Sequence, residues 1–157
     1  MILFISGSVN SGKSTTSKLL AKRLNAEWLD VDELADTIPN FNLSKDIPKA
    51  IELTIKQINQ LTSRGKDVVG NYVLGQSDYD MLHKGLNDNS QYVFTLAPRL
   101  EVVRKDRGRG LNAWEYERIK HHYDIGIANP KFGEVLDTSD LNIEEVVEVI
   151  ISYLPRS

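Results

Sequence analysis

Gly7-Ser8-Val9-Asn10-Ser11-Gly12-Lys13-Ser14 decides how the rest of the chain is read. It matches G-x-x-x-x-G-K-[ST] at every fixed position, a pattern that works only between a strand and a helix. Both neighbours are there. Met1-Ile2-Leu3-Phe4-Ile5-Ser6 is an apolar run suited to a strand buried on both faces, and residues 15–24 carry Leu19, Leu20 and Leu24 at helical spacing. Gly7 and Gly12 lack a Cβ, so the chain between them can wrap tightly and aim its backbone N–H groups at phosphate oxygens. The helix that follows adds its positive end. Lys13 then reaches the β- and γ-phosphates, and Ser14 places a hydroxyl on Mg²⁺.

Composition narrows the partners. A chain of 157 residues, 41% hydrophobic and 26% charged, is about one domain with a core of its own. A formal net charge of −3 and an isoelectric point near 5.6 argue against nucleic acid as the main partner. With no cysteine, disulfides and thiolate zinc sites are excluded, which fits a cytoplasmic protein. No stretch approaches the ~20 apolar residues of a membrane span. No basic region precedes the first apolar run, so it does not read as a signal peptide.

Along the chain, Glu27-Trp28-Leu29 reads as a second strand ending in Asp30-Val31-Asp32. Ile47, Ile51, Thr54, Ile55, Ile58 and Leu61 mark a helix that stops at Arg64-Gly65. A third strand starts at Val68. Ser77 is the expected cap of a helix running to Leu86, and Tyr92-Val93-Phe94-Thr95-Leu96 is a fourth strand. Pro98 opens a helix holding Leu100, Val102 and Val103. Asn112 and Asn142, each followed three residues later by glutamate, cap two more helices around a short strand at Glu134-Val135-Leu136. Strands alternating with helices predict one parallel sheet covered on both faces.

Asp30 and Asp32, two apart, would face the same side at the carboxyl end of a strand, where phosphoryl transfer needs a carboxylate for metal binding and for the attacking hydroxyl. A helix cap and a solvated loop residue are the plainer reading of the pair. Arg104, Arg107 and Arg109, the last two set between glycines, suggest a closing lid, against the plainer reading of a solvated helix end. His121 and His122 read as surface residues, without a third ligand at metal spacing.

The loop at 7–14, the Asp-x-Asp pair, the arginine segment 104–109 and Asp137-Thr138-Ser139 resemble the small P-loop kinases, the group of shikimate kinase, gluconate kinase and chloramphenicol phosphotransferase. The similarity runs the length of the chain, with the phosphate loop its most specific part. It implies a three-layer α/β P-loop NTPase fold in one domain, 1–157. The parallel sheet would have five strands in the order 2-3-1-4-5, with a lid at about 105–112. It implies ATP and Mg²⁺ as cofactors, transfer to a small hydroxylated molecule, and a monomer or dimer.

By that resemblance the loop residues Gly7, Ser8, Asn10, Ser11, Gly12, Lys13, Ser14 and Thr15 hold the nucleotide. Arg104 stacks on adenine opposite Thr138 and Ser139, and Arg107 and Arg109 reach phosphates. Asp30 joins Ser14 on the metal, and Asp32 takes the acceptor side. Asn71, Tyr72 and Gln76 follow strand three, where such kinases contact the acceptor, and Trp28 and Phe41 would line the same pocket. Residues 47–62 and 123–133 contain no arginine, which argues against shikimate and a nucleoside monophosphate and for a largely neutral metabolite, nucleoside or antibiotic. A nucleotide-binding regulatory or toxin-like module, or a nucleoside monophosphate kinase, is the alternative. No Asn-Lys-x-Asp motif supports GTP.

Overall fold

β1 (Ile2–Gly7) is buried along its whole length, because Ile2 and Phe4 enter one core while Leu3 and Ile5 enter another. The computed structural model describes residues 1–106 and 108–156. In it β1 is the middle strand of a parallel sheet, with β2 (Glu27–Asp30), β3 (Val68–Asn71), β4 (Gln91–Leu96) and β5 (Glu134–Leu136) in the order β2-β3-β1-β4-β5. Strand order thus reverses beside β1, and ligands of such sheets bind in the crevice outside the strand ends at that point. The phosphate loop leaves β1 there and enters α1 (Lys13–Leu24).

One face of the sheet is covered by α1 and α7 (Ile143–Tyr153), through Leu20, Ala21, Val146, Val147 and Ile150. The other is covered by α2 (Val31–Asp36), α3 (Ile47–Thr62) and α4 (Gln76–Gly85), through Ala35, Ile51, Ile58 and Leu82. α5 (Leu100–Val103) and α6 (Ala113–Asp124) complete the chain. The expected caps of α6 and α7 are in place: Asn112 accepts from the Glu115 N–H at 2.8 Å, and Asn142 and Glu145 cap each other.

Three expectations need correction. β2 ends at Asp30 and α2 begins at once, so Asp32 lies in a helix and not on the strand. α4 is capped at Gly75, not at Ser77, because the Asp78 carboxylate reaches back to the Gly75 N–H at 3.2 Å. The helix after Pro98 holds Leu100, Val102 and Val103 as expected, but it starts after Arg99 and not at Pro98, and it is a single turn.

Gly70 lies in β3 against the buried Phe4 ring, and a Cβ there would fall 2.7 Å from Phe4 Cζ. Gly70→Ala therefore overpacks the sheet and is expected to lower the unfolding free energy by ~1–3 kcal/mol in urea titration. Adding Phe4→Leu should recover part of that loss. An unchanged midpoint for Gly70→Ala would refute the packing argument.

Candidate functional site

Gly7 has no room for a side chain: a Cβ would fall 2.4 Å from Ser11 Oγ and 2.8 Å from the Leu96 carbonyl oxygen. Asn10 (φ 62°) and Gly12 (φ 88°) both take left-handed conformations, the curvature that turns a loop's N–H groups into one concavity. α1 starts directly at Lys13, so its free N–H groups face the same place. Lys13 Nζ lies 3.5 Å from the Ser8 carbonyl. Burial lowers its pKa, against the pull of Asp32 and Asp30. Thr15 lines the same cleft.

Not every loop side chain is available to a ligand. Asn10 Nδ2 donates to the carbonyls of Val103 (2.8 Å) and Lys105 (3.1 Å), tying the loop to the start of the arginine segment. Ser8 Oγ donates to the Val9 carbonyl, and Ser11 Oγ is buried without a protein partner. Ser8 and Asn10 therefore offer a phosphate their backbone alone, whereas the Ser11 hydroxyl is an uncommitted donor.

Asp30 caps α2, its Oδ1 accepting the Asp32 N–H at 2.8 Å. The plainer reading of Asp30 as a cap therefore holds, yet its second oxygen has other work. Asn71 Nδ2 donates to Asp30 Oδ2 at 3.1 Å and lies 3.4 Å from Ser14 Oγ. Asn71 Oδ1 accepts from Ser17 Oγ (2.7 Å) and from Trp28 Nε1 (3.1 Å). At 1% exposure Asn71 is therefore committed to the protein and cannot be the acceptor contact expected from sequence. Trp28 is likewise held against α1, with Lys18 over its ring, and lies away from the expected acceptor pocket. Gln76 is exposed and donates to Asp80. Ser14 and Asp30, two hard oxygen donors sharing one amide, suit Mg²⁺, which takes one or two protein ligands beside phosphate oxygens and water.

Three cavities adjoin. A slot of about 310 Å³ is lined by Thr138, Ser139, Lys105 and Ile143. Arg104 is exposed at the end of α5 and does not line the slot, because the one-turn helix ends there and Lys105 and Asp106 take that wall. Ile143 also borders a cleft of about 700 Å³ that holds Lys13, Ser14, Asp32 and Arg109. Arg109 lies 3.6 Å from Glu115. Arg107 lies outside the described residues. Val73 joins the cleft to a third cavity of about 720 Å³, where Tyr72, Asp78, Arg118 and His122 meet.

Asp32 keeps contact with solvent, but the protein crowding its carboxyl and the like charge of Asp30 hold its pKa above the ordinary aspartate value, opposed by Lys13. Burial, with Asp78 and Asp32 nearby, raises the Tyr72 hydroxyl, so it stays a neutral donor. Burial likewise raises Asp78.

Arg118 and His122 are the residues that sequence reasoning missed. His122 is 3% exposed and touches the phosphate loop, contrary to the surface reading. A signal existed: Trp114, Arg118 and His122 fall four residues apart, one stripe along α6. The apolar positions Ile119 and Tyr123 mark a different face of α6.

No protein-family model matches the chain. Among curated proteins, the S-adenosylmethionine-dependent nucleotide dehydratase of Lacinutrix mariniflava is 25% identical over 169 residues, covering 98% of this chain but 36% of that protein. A shikimate kinase of Synechococcus elongatus is 25% identical over 178 residues, 99% of this chain and 89% of that one. The sugar kinase of Janibacter sp. HTCC2649 superposes with a TM-score of 0.73 at 17% identity, covering 97% of this chain and 92% of that one. The chain groups with the small P-loop kinases. It spans only 36% to 55% of the first curated relatives it matches. Among the described residues no helix is long and apolar enough to cross a membrane.

The raised pKa of Asp32 has a cost in stability. A carboxyl whose folded pKa exceeds its unfolded value loses stability as pH rises from the unfolded toward the folded pKa and stays penalised above it. Asp32→Asn should therefore raise the melting temperature at pH 7, and the gain should vanish below the ordinary value of 3.8. Calorimetric scans at pH 7 and pH 3.5 check this, and a lower melting temperature at pH 7 would refute it.

Proposed function

We propose that the chain is an ATP-dependent small-molecule kinase, a single domain over 1–157 with its lid at about 105–112, transferring the γ-phosphoryl group to a hydroxyl. The observation that carries this reading is the adjacency of slot, cleft and cavity, with Lys13 and Asp32 sharing the middle one. ATP lies with its base in the slot and its phosphates on the loop. Ser14 and Asp30 would hold Mg²⁺, which would supply charge neutralisation for the phosphates.

The acceptor hydroxyl enters from the third cavity and meets Asp32. Its oxygen bonds to the γ-phosphorus as the bond to the β–γ bridging oxygen breaks. ADP leaves, and the hydroxyl proton passes to Asp32. A carboxylate crowded by protein and a like charge is a better proton acceptor than a free one. Lys13 and Arg109 lie where charge collects on the departing phosphates. A regulatory module would need a phosphate loop but not Asp32 beside an acceptor cavity.

Arg118 bears on the acceptor class. It is one guanidinium, facing Asp78 in the same cavity and Asp32 next door. That balance suits a hydroxylated molecule that is neutral or carries one anionic group. A nucleotide acceptor is the second reading, favoured by the relative named as a nucleotide dehydratase, whose match covers 98% of this chain.

Lys13→Ala should abolish or strongly weaken binding of a non-hydrolysable ATP analogue in calorimetry, and unchanged binding would end the nucleotide reading. A screen for ADP release with sugars, sugar acids, nucleosides and nucleoside monophosphates separates the acceptor classes. With the best acceptor, Asp32→Asn should keep ATP binding and lose roughly 10²-fold or more in single-turnover rate. A wild-type rate in that variant would remove Asp32 from the chemistry.

A further inference from the structure

His122 is buried between two donors. The Val9 backbone N–H points at its Nδ1 at 3.4 Å, and Arg118 Nη2 lies 3.2 Å from its Nε2. Neither neighbour has a lone pair to offer, since a backbone N–H and a guanidinium only donate. A neutral imidazole has one lone pair and one N–H, so it can satisfy one of them and must face the other donor to donor. Burial, Arg118, Lys13 and His121 keep the ring neutral, with its pKa lowered to about 4.

Which neighbour takes the lone pair follows from their freedom. Val9 is fixed in a loop whose curvature is set by Gly7, Asn10 and Gly12. Its N–H would otherwise be a half-buried donor without a partner. Arg118 is a long side chain beside a cavity, and among the described residues it has no carboxylate within ion-pair distance. Its guanidinium carbon lies 5.9 Å from the centre of the exposed Trp114 ring, a contact that holds it only weakly, so it can turn from the imidazole more easily than Val9 can.

We propose that His122 is a positioning residue for phosphoryl transfer: its Nδ1 anchors the phosphate loop at Val9, and its Nε2–H turns the Arg118 guanidinium toward the acceptor cavity. One ring thereby links the ATP site to the acceptor site. Nε2–H and Arg118 become two donors side by side on one cavity wall. This rests on the kinase reading above only for what the loop and cavity bind; the protonation of the ring does not depend on it.

Nitrogen NMR of the wild-type imidazoles at neutral pH tests the ring directly. The expected spectrum has His122 protonated on Nε2 and bare on Nδ1; a proton on Nδ1 overturns the proposal. Calorimetry with a non-hydrolysable ATP analogue tests the anchor. His122→Leu should weaken binding roughly three- to tenfold, the worth of one hydrogen bond. His122→Asn, whose carbonyl oxygen can stand in for Nδ1, should restore most of it. Equal affinity in a folded His122→Leu protein, or equal loss in both variants, would mark His122 as packing alone. If the wild type binds no ATP analogue, the kinase reading fails, and the nitrogen spectrum still decides the tautomer.

Discussion

One buried amide holds the candidate site in register. Asn71, at the end of β3, bonds to Ser17 on α1, Trp28 on β2 and Asp30 at the start of α2, with Ser14 of the phosphate loop at the edge of its reach. Its partners come from α1 and from β2, with Asp30 also capping α2, so the amide converts strand pairing into the placement of the Asp30 carboxylate near the Ser14 hydroxyl. Without it Asp30 would still cap α2, but the direction of its second oxygen would be free. A buried polar network rigidifies when every member is satisfied, and Asn71 uses both its donor and its acceptor end on protein atoms.

The electrostatics beside this hub work against folding. Asp32 and Asp30 are like charges held close, and Lys13 is a cation stripped of much of its water. Each shift opposes the charged form, and each is of the kind expected where a polyanion and its counter-ion are to arrive. The apolar strands absorb the cost: Leu3, Ile5, Val68 and Val69 are fully buried immediately beneath the loop and the hub.

How far the sequence could be read depended on whether a feature is local. The phosphate loop and the caps at Asn112 and Asn142 each follow from residues within a few positions of one another, the parallel sheet follows from strands alternating with helices, and the strand order comes from the family resemblance. For the Asp30 and Asp32 pair the strand stops two residues short of the expected end, at Asp30, so spacing by two no longer puts both carboxylates on one face. Asn71 sits at the right strand end, but its role is hidden in the sequence because its partners come from α1 and β2, more than 40 positions away. Arg104 failed because the helix before it is a single turn, which a run of apolar letters does not reveal. Arginine is absent from residues 47–62 and 123–133, but α6 brings Arg118 to the cavity from outside both, a placement that only the tertiary packing sets.

The arginine segment shows how a weak contact can serve a site better than a strong one. Arg109 borders the cleft while its guanidinium lies 3.6 Å from Glu115, and more than half of its side chain is open to solvent. An exposed pair of that kind contributes between nothing and about 1 kcal/mol. A phosphate in a cleft already lined by Lys13 offers Arg109 a doubly charged partner at lower effective dielectric, so the exchange of carboxylate for phosphate runs downhill. Gly108 and Gly110, with open space around their α-carbons and φ of 81° and 73°, leave the backbone on either side free to follow. On the proposed function a strong Arg109 pair would oppose that exchange, whereas this one holds the cation at the edge of the cleft and would yield it to a phosphate.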